Sequence, residues 1–424
     1  MGLSFEDACR FLFARQGSRI KWSLGPTDGL LDVLGHPERH FPCVHVAGTN
    51  GKGSTCAFTA AALAARGFRV GVYTSPHLVS VRERVVVDGV PISEDAFAEW
   101  ASVLEPHIER LGASFFEATT AIAFADLAAR GVDIAVIEVG LGGRLDSTNV
   151  ITPLVAVVTK IAREHTDYLG FDLASIAREK AGIAKPDVPF VTGERDPEVR
   201  RVLVAEAERR GAKPVVLVDT ERPPTRPLGL QGRHQWANAW VSLAALNALP
   251  PLFGPLGGVG GVGGVGGGDE WPESFSRTYL PGRFDVRGKW IFDVAHNPDG
   301  ARVLADALRD YAPPRPRQAL VGVLGDKDYL GMIQTLAEVT DGFVFTVPAS
   351  APEHRRWDLD ALKAELTGPA GGFGRGRPPD MRFEPDFERA LERVQEGAAT
   401  VMVTGSFHTV GDALARLPGF APVV

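Results

Sequence analysis

Short β-branched runs that are apolar at almost every position recur along this chain, and they constrain its fold more than any other feature. The runs are Cys43–Ala47, Arg69–Thr74, Asp133–Val139, Leu154–Thr159 and Pro214–Val218. A strand with one wet face alternates apolar and polar residues. A run that does not alternate is a strand covered on both faces, the condition of a parallel sheet between layers of helix. Alanine-rich stretches of helical period, Ser54–Ala65 and Glu117–Ala129, lie between the runs, so the order predicts an α/β fold built from βαβ crossovers. The pattern breaks at Pro250–Gly268, where LGGVGGVGGVGGG has the composition of a low-complexity surface insertion. It resumes with Trp290–Val294, Ala319–Leu324, Gly342–Val347 and Thr400–Thr404. A chain of 424 residues suggests two domains. Pro281-Gly282 is turn chemistry just ahead of the second series, which puts the boundary near Arg277–Gly282 and the domains at 1–278 and 279–424.

Composition narrows the function. A net charge of −7 argues against a nucleic-acid partner, because phosphate contacts need a clustered basic surface. The three cysteines, Cys9, Cys43 and Cys56, form no CxxC pair, which suits a reducing cytoplasm and indicates neither a disulfide framework nor a zinc site. Glu6 and Asp7 stand where a signal peptide would be basic, and no apolar run approaches the ~20 residues of a membrane helix. The expectation is a soluble, cytoplasmic protein.

The densest chemistry lies at Gly48-Thr49-Asn50-Gly51-Lys52-Gly53-Ser54. Val44–Ala47 reads as a strand, Gly48–Gly53 as a tight turn and Ser54–Arg66 as a helix. Glycines let backbone N–H groups face an anion, the helix N-terminus adds its dipole, and Lys52 adds a full charge. This is a cradle for the phosphates of ATP. The common phosphate-loop pattern wants glycine six positions before the lysine and Ser or Thr directly after it. Here those positions hold Val46 and Gly53. The magnesium-binding hydroxyl is therefore displaced: either Ser54 or Thr55 substitutes, or the ligand comes from elsewhere.

Nine motifs in order then give the chain a family resemblance. They are HVAGTNGKGS at His45–Ser54, YTSPHL at Tyr73–Leu78, FFEATTAIAF at Phe115–Phe124, EVGLGGRLDSTN at Glu138–Asn149 and HTDYLG at His165–Gly170. REKAGIAKP at Arg178–Pro186, GRHQWANA at Gly232–Ala239, PGRF at Pro281–Phe284 and DVAHNP at Asp293–Pro298 complete them. Over nearly its whole length the sequence resembles the folylpolyglutamate synthase and dihydrofolate synthase family of the Mur ligase superfamily. The resemblance implies an N-terminal P-loop ATPase domain with a mostly parallel sheet, and a smaller Rossmann-like C-terminal domain that binds glutamate.

It also implies residue roles. Thr49, Asn50, Gly51, Lys52, Gly53 and Ser54 would hold ATP, with Asn238, Arg283 and Asp293 on its other side. Ser75 would supply the missing magnesium hydroxyl, joined by Glu138. That is sensible chemistry, since Mg²⁺ prefers one or two carboxylates plus phosphate oxygens and water. His165 would bind a second magnesium with Lys180 as its carbamate. By its residues alone Lys180 looks like any helix-surface lysine. The family usually has Asn and Asp where this chain has Lys160 and Glu164, and usually Gly at Val294. His296 would sit near the transferred phosphate. Phe115, Phe116 and Glu117, with Leu145, Asp146 and Ser147, fall on segments implied to bind the pterin. For Phe115 and Phe116 core packing is an equal reading.

The implied reaction is ATP-dependent: a pteroate or folate carboxylate attacks the γ-phosphate, and the amine of L-glutamate then displaces phosphate from the acyl phosphate. Lys52, Lys180 and His296 would be the catalytic residues, with dihydropteroate or tetrahydrofolate as acceptor and the protein a monomer. A peptidoglycan-precursor amino-acid ligase is the nearest alternative, although only 47 residues precede Gly48. A P-loop nucleotide switch is the alternative from another class, and it would have no use for the PGRF and DVAHNP motifs.

Overall fold

The computed structural model describes residues 2–16, 23–254, 271–368 and 379–421. The glycine-rich stretch at 257–268, read above as a surface insertion, lies outside them. Of the five early apolar runs, four become strands buried at nearly every position, while Pro214–Val218 becomes an edge strand whose three residues are half-buried or exposed; three further short strands join them. In chain order they are β1 Cys43–Ala47, β2 Val70–Tyr73, β3 Val85–Val87, β4 Val90–Pro91, β5 Ile134–Glu138, β6 Val155–Val158, β7 Phe190–Thr192 and β8 Val215–Leu217. They form one eight-stranded sheet in the order β4-β3-β2-β5-β1-β6-β7-β8. Pairing is parallel throughout except at the β2–β3–β4 edge, which is antiparallel.

The chain divides into two compact units. The first comprises Met1–Pro76, Val81–Gly229 and Gln235–Thr278; the second comprises His77–Ser80, Leu230–His234 and Tyr279–Val424. The second unit has its own sheet, made of β9 Asp285–Arg287, β10 Trp290–Phe292, β11 Arg317–Val321, β12 Gly342–Phe345, β13 Asp380–Phe383 and β14 Thr400–Thr404. Its order is β13-β12-β11-β14-β10-β9, parallel except for the β9–β10 pair. Both sheets are covered by helix on both faces, the sandwich the unalternating runs required. In the first unit Phe97, Leu104 and Phe124, and beyond them Ile176, Leu203 and Phe190, belong to the core on the face that Cys43, Ala135 and Ala156 share, while Val44, Val46 and Val136 are equally buried on the opposite face. No described helix is long and apolar enough to cross a membrane.

The strand order positions the site. β5 lies on one side of β1 and β6 on the other, so the connection between them crosses β1 and opens a crevice at its carboxyl end. In doubly wound sheets that crevice is where ligands bind. The helix after β1 spans Lys52–Ala64, starting two residues earlier than its apolar period suggests, because Gly51, at φ 93°, makes the turn and Lys52 already has helical geometry. The helix Phe115–Ala129 likewise starts before its periodic stretch. Ser114 caps it, with Glu117 reaching back in a capping box.

Candidate active site

The phosphate loop is held from β6. The Lys160 C=O accepts the Thr49 N–H at 2.8 Å, and the Thr49 hydroxyl and the Ala162 backbone bond each other at 3.0–3.1 Å. The Thr159 hydroxyl donates to the Asn50 C=O at 2.8 Å. Lys160 thus acts through its backbone while its side chain is exposed, so the unusual residue type at this position leaves the clasp intact. Two glycines are obligatory. A Cβ on Gly48 (φ 145°) would stand 1.8 Å from Thr159 Oγ1, and one on Gly51 would stand 2.3 Å from Asn238 Oδ1. Gly51→Ala is therefore expected to add about 1–2 kcal/mol of backbone strain, displace Asn238 and weaken ADP binding about tenfold or more. Isothermal titration with ADP checks this; affinity equal to the parent would contradict it.

The helix Lys52–Ala64 has no side-chain cap at its N-terminus, and its first bond runs from the Thr55 N–H to the Gly51 C=O at 2.9 Å. Its leading N–H groups and dipole are thus directed at the loop, as an anion site requires. Lys52 Nζ donates to the Thr49 C=O at 3.2 Å and lies 4.0 Å from Glu138 Oε1. Glu138, buried at the end of β5, accepts the Ser75 N–H on its other oxygen at 3.2 Å. Lys52, Glu138 and Ser75 therefore converge from the ends of three strands. Among the described residues no group of three or more His, Cys, Asp or Glu could enclose a metal ion. The Glu138 carboxylate with the Ser75 hydroxyl nonetheless fits Mg²⁺, a hard ion held by one or two carboxylates and completed by phosphate and water.

Lys180 departs from its surface-lysine appearance. It is 5% exposed, and Nζ donates to the Gly48 C=O at 2.9 Å, bracing the first residue of the phosphate loop. Burial, reinforced by the Lys52 charge and opposed by Glu164 and Asp146, lowers its pKa to about 7. His165 has φ 52°, and its Nε2 is 3.8 Å from Glu164 Oε1.

The segments matched to the pterin have clear structural duties. Phe115 is buried against Phe13 and below Arg84, so core packing accounts for it, while Phe116 is half-buried and crowds Gly140. Glu117 is engaged by Ser114 at 2.6 Å. Asp146 Oδ2 accepts the Gly140 and Leu141 N–H groups at 3.1 and 2.8 Å, and Oδ1 accepts both the N–H and the hydroxyl of Thr148. Four donors fill the acceptor capacity of a carboxylate. Asp146 therefore shapes its loop; Leu145 is half-buried beside it and Ser147 buried.

In the second unit Asp293 directly follows β10 and accepts the Phe284 N–H at 2.8 Å and the Ala295 N–H at 2.9 Å. Burial raises its pKa against Arg283, those two bonds and His296. Phe284 is held at φ 47°, which fixes the backbone next to Arg283. The Arg283 guanidinium lies 5.1 Å from the Phe407 ring centroid, and the His296 ring 5.7 Å from it. His296 Nδ1 sits 2.8 Å from the Val294 C=O. A carbonyl only accepts, so Nδ1 carries a proton. Asn238, in the first unit, donates to Gln235 at 2.9 Å beside Gly51.

Comparison with known proteins agrees with this geometry. The Mur ligase middle domain matches residues 46–225, and the Mur ligase glutamate ligase domain matches residues 282–407. A Mycobacterium tuberculosis dihydrofolate synthase/folylpolyglutamate synthase is 36% identical across 94% of this chain and 87% of its own length. An E. coli FolC structure in complex with DHPP and ADP superposes with a TM-score of 0.81 at 31% identity, over 97% of each chain. A Yersinia pestis bifunctional folylpolyglutamate synthase/dihydrofolate synthase complexed with AMPPNP and Mn ion gives a TM-score of 0.78 at 30% identity, over 97% of this chain and 98% of that one. The chain belongs to the folylpolyglutamate synthase/dihydrofolate synthase family of ATP-dependent Mur ligases.

Proposed function

We propose that the chain joins the amine of L-glutamate to the carboxylate of dihydropteroate and of tetrahydrofolate, each through an acyl phosphate. The observation that carries this reading is the convergence of Lys52, Glu138 and Ser75 around an uncapped helix N-terminus at the carboxyl ends of β1, β5 and β2. An acceptor oxygen forms a bond to the γ-phosphorus as the bond to ADP breaks. The glutamate nitrogen then attacks the carbonyl carbon, phosphate leaves with its oxygen, and the nitrogen loses a proton. Neither step needs a protein nucleophile; positioning and charge neutralisation suffice.

Thr49, Asn50, Gly51, Gly53 and Ser54 line the triphosphate, with Lys52 on its terminal oxygens. Asn238 in the first unit, and Arg283 and Asp293 in the second, are assigned to binding the nucleotide, and His296 to taking the proton from the incoming amine. Phe116, Leu145 and Ser147 border the acceptor, on a loop ordered by Asp146 and beside a helix start fixed by Phe115 and Glu117. Ser75 and Glu138 would hold one Mg²⁺, and His165 with carbamylated Lys180 a second, each supplying positive charge to the phosphates. The protein works as a cytoplasmic monomer.

Mass analysis of products tests the assignment directly. With MgATP and glutamate, each acceptor is expected to gain one glutamyl residue, and phosphate release is expected to require acceptor and glutamate together. No addition to either acceptor, or ATP hydrolysis independent of both, would overturn it.

A further inference from the structure

His45 lies in the middle of β1, three residues before Gly48, and is wholly buried. Its Nε2 is 2.8 Å from Thr148 Oγ1. That hydroxyl donates its single proton to Asp146 Oδ1, so it must accept from His45, and His45 carries its proton on Nε2. Burial, with the Lys185 charge adding to it, holds the imidazole neutral by pushing its pKa down to about 3. Nδ1 is then a bare lone pair, and it is buried with no hydrogen-bond partner. A core position that leaves an acceptor unsatisfied pays for it in stability, so packing alone does not explain a histidine here. What the ring supplies is its one donor, aimed at Thr148.

The chain of bonds continues outward. Thr148 fixes Asp146, and Asp146 holds the N–H groups of Gly140 and Leu141. Those are the second and third residues after Glu138. We infer that His45 is a positioning residue for ligation: through Thr148 and Asp146 it sets the turn that carries the acceptor-side loop behind Glu138. This deepens the proposed function and rests on the acceptor assignment made there. Register adds an argument, since His45 pairs with Ile137 on β5 and Ala156 on β6. One side chain in the strand that leads into the phosphate loop thereby also fixes the loop on the acceptor side.

Three variants of the full-length enzyme test it. Thr148→Val keeps the shape and removes the hydroxyl, His45→Leu removes the donor, and His45→Gln retains an amide donor at the position of Nε2. The first two are expected to raise KM for the acceptor about tenfold, the usual loss for a buried bond that serves a charged group, while KM for ATP changes less than about twofold. His45→Gln is expected to stay within about threefold of the parent on both. Thermal melting reports folding, and Thr148→Val carries the test if His45→Leu does not fold. Unchanged acceptor KM in Thr148→Val, an equal rise in both KM values, or a Gln variant as impaired as Leu would overturn the inference. Failure of the parent itself to add glutamate would instead overturn the function on which it rests.

Discussion

Lys52→Ala is expected to lower kcat/KM for ligation on the order of 10³-fold, as loss of a single preorganised charge at a phosphoryl-transfer centre does. The geometry argues for the upper part of that range. Lys52 lies 4.0 Å from the carboxylate of Glu138, which is only 3% exposed. Removing the ammonium subtracts a positive charge from the triphosphate and also leaves a buried anion facing another anion, so the electrostatic loss is double. Folding should survive, because the ammonium's backbone partner among the described residues is the Thr49 C=O, three residues away at a loop already pinned by Lys160, Ala162 and Thr159. Lys52→Arg is expected to recover little: a planar fork does not replace a compact ammonium where the neighbouring glycines exist to keep space clear. Phosphate release in the presence of acceptor and glutamate, with a melt taken with and without ADP, reads both effects. Activity within about tenfold of the parent would remove Lys52 from the centre of the reaction.

Much of this site was legible because its signals are local. Gly48, Gly51 and Lys52 announce themselves within five residues, and the unalternating strands beside them set the sheet. The mismatch at Gly53 leaves the magnesium hydroxyl open, the family resemblance implies Ser75, and the backbone N–H of Ser75 meets Glu138. What the sequence hid depends on distant pairs. Lys180 and Gly48 are 132 positions apart, and nothing in a helix of ordinary composition marks one lysine as buried. His45 and Thr148 are 103 apart. Thr159 and Lys160 each work through two bonds with backbone groups, for which any pattern is weak. Asp146 shows the opposite case: its role is local, but a carboxylate next to a glycine turn reads equally as ligand or as loop clasp until its four donors are counted. β3, β4, β7, β9 and β13 fall outside the strand reading; segments of two to four residues carry little period of their own, and the equally short β8 and β10 show only because they sit inside longer apolar runs.

Lys180→Ala is expected to reduce kcat on the order of 10²-fold with ATP still bound, and the loss should be partly restored by formate or acetate. A lysine whose pKa falls to about 7 is a free amine in half of the molecules at neutral pH, and a free amine adds to CO₂, releasing a proton as the carbamate forms. The product converts a buried cation beside Lys52 into an anion with two oxygen donors, so the very charge that depresses the amine's pKa stabilises its carbamate. Small carboxylates present the same two oxygens, which is why they should substitute in the alanine variant. The pH dependence has a definite sign. Between pH 6 and pH 8 the free-amine fraction rises roughly tenfold about a pKa of 7. Enzyme stripped of CO₂ at low pH should therefore regain activity with bicarbonate faster at pH 8 than at pH 6. Recovery that ignores bicarbonate, together with an alanine variant of parental activity, would reduce Lys180 to the brace it makes with Gly48. A bicarbonate-dependent recovery that follows the free-amine fraction would tie the buried lysine to the metal-binding half of the site, since a brace alone has no use for CO₂.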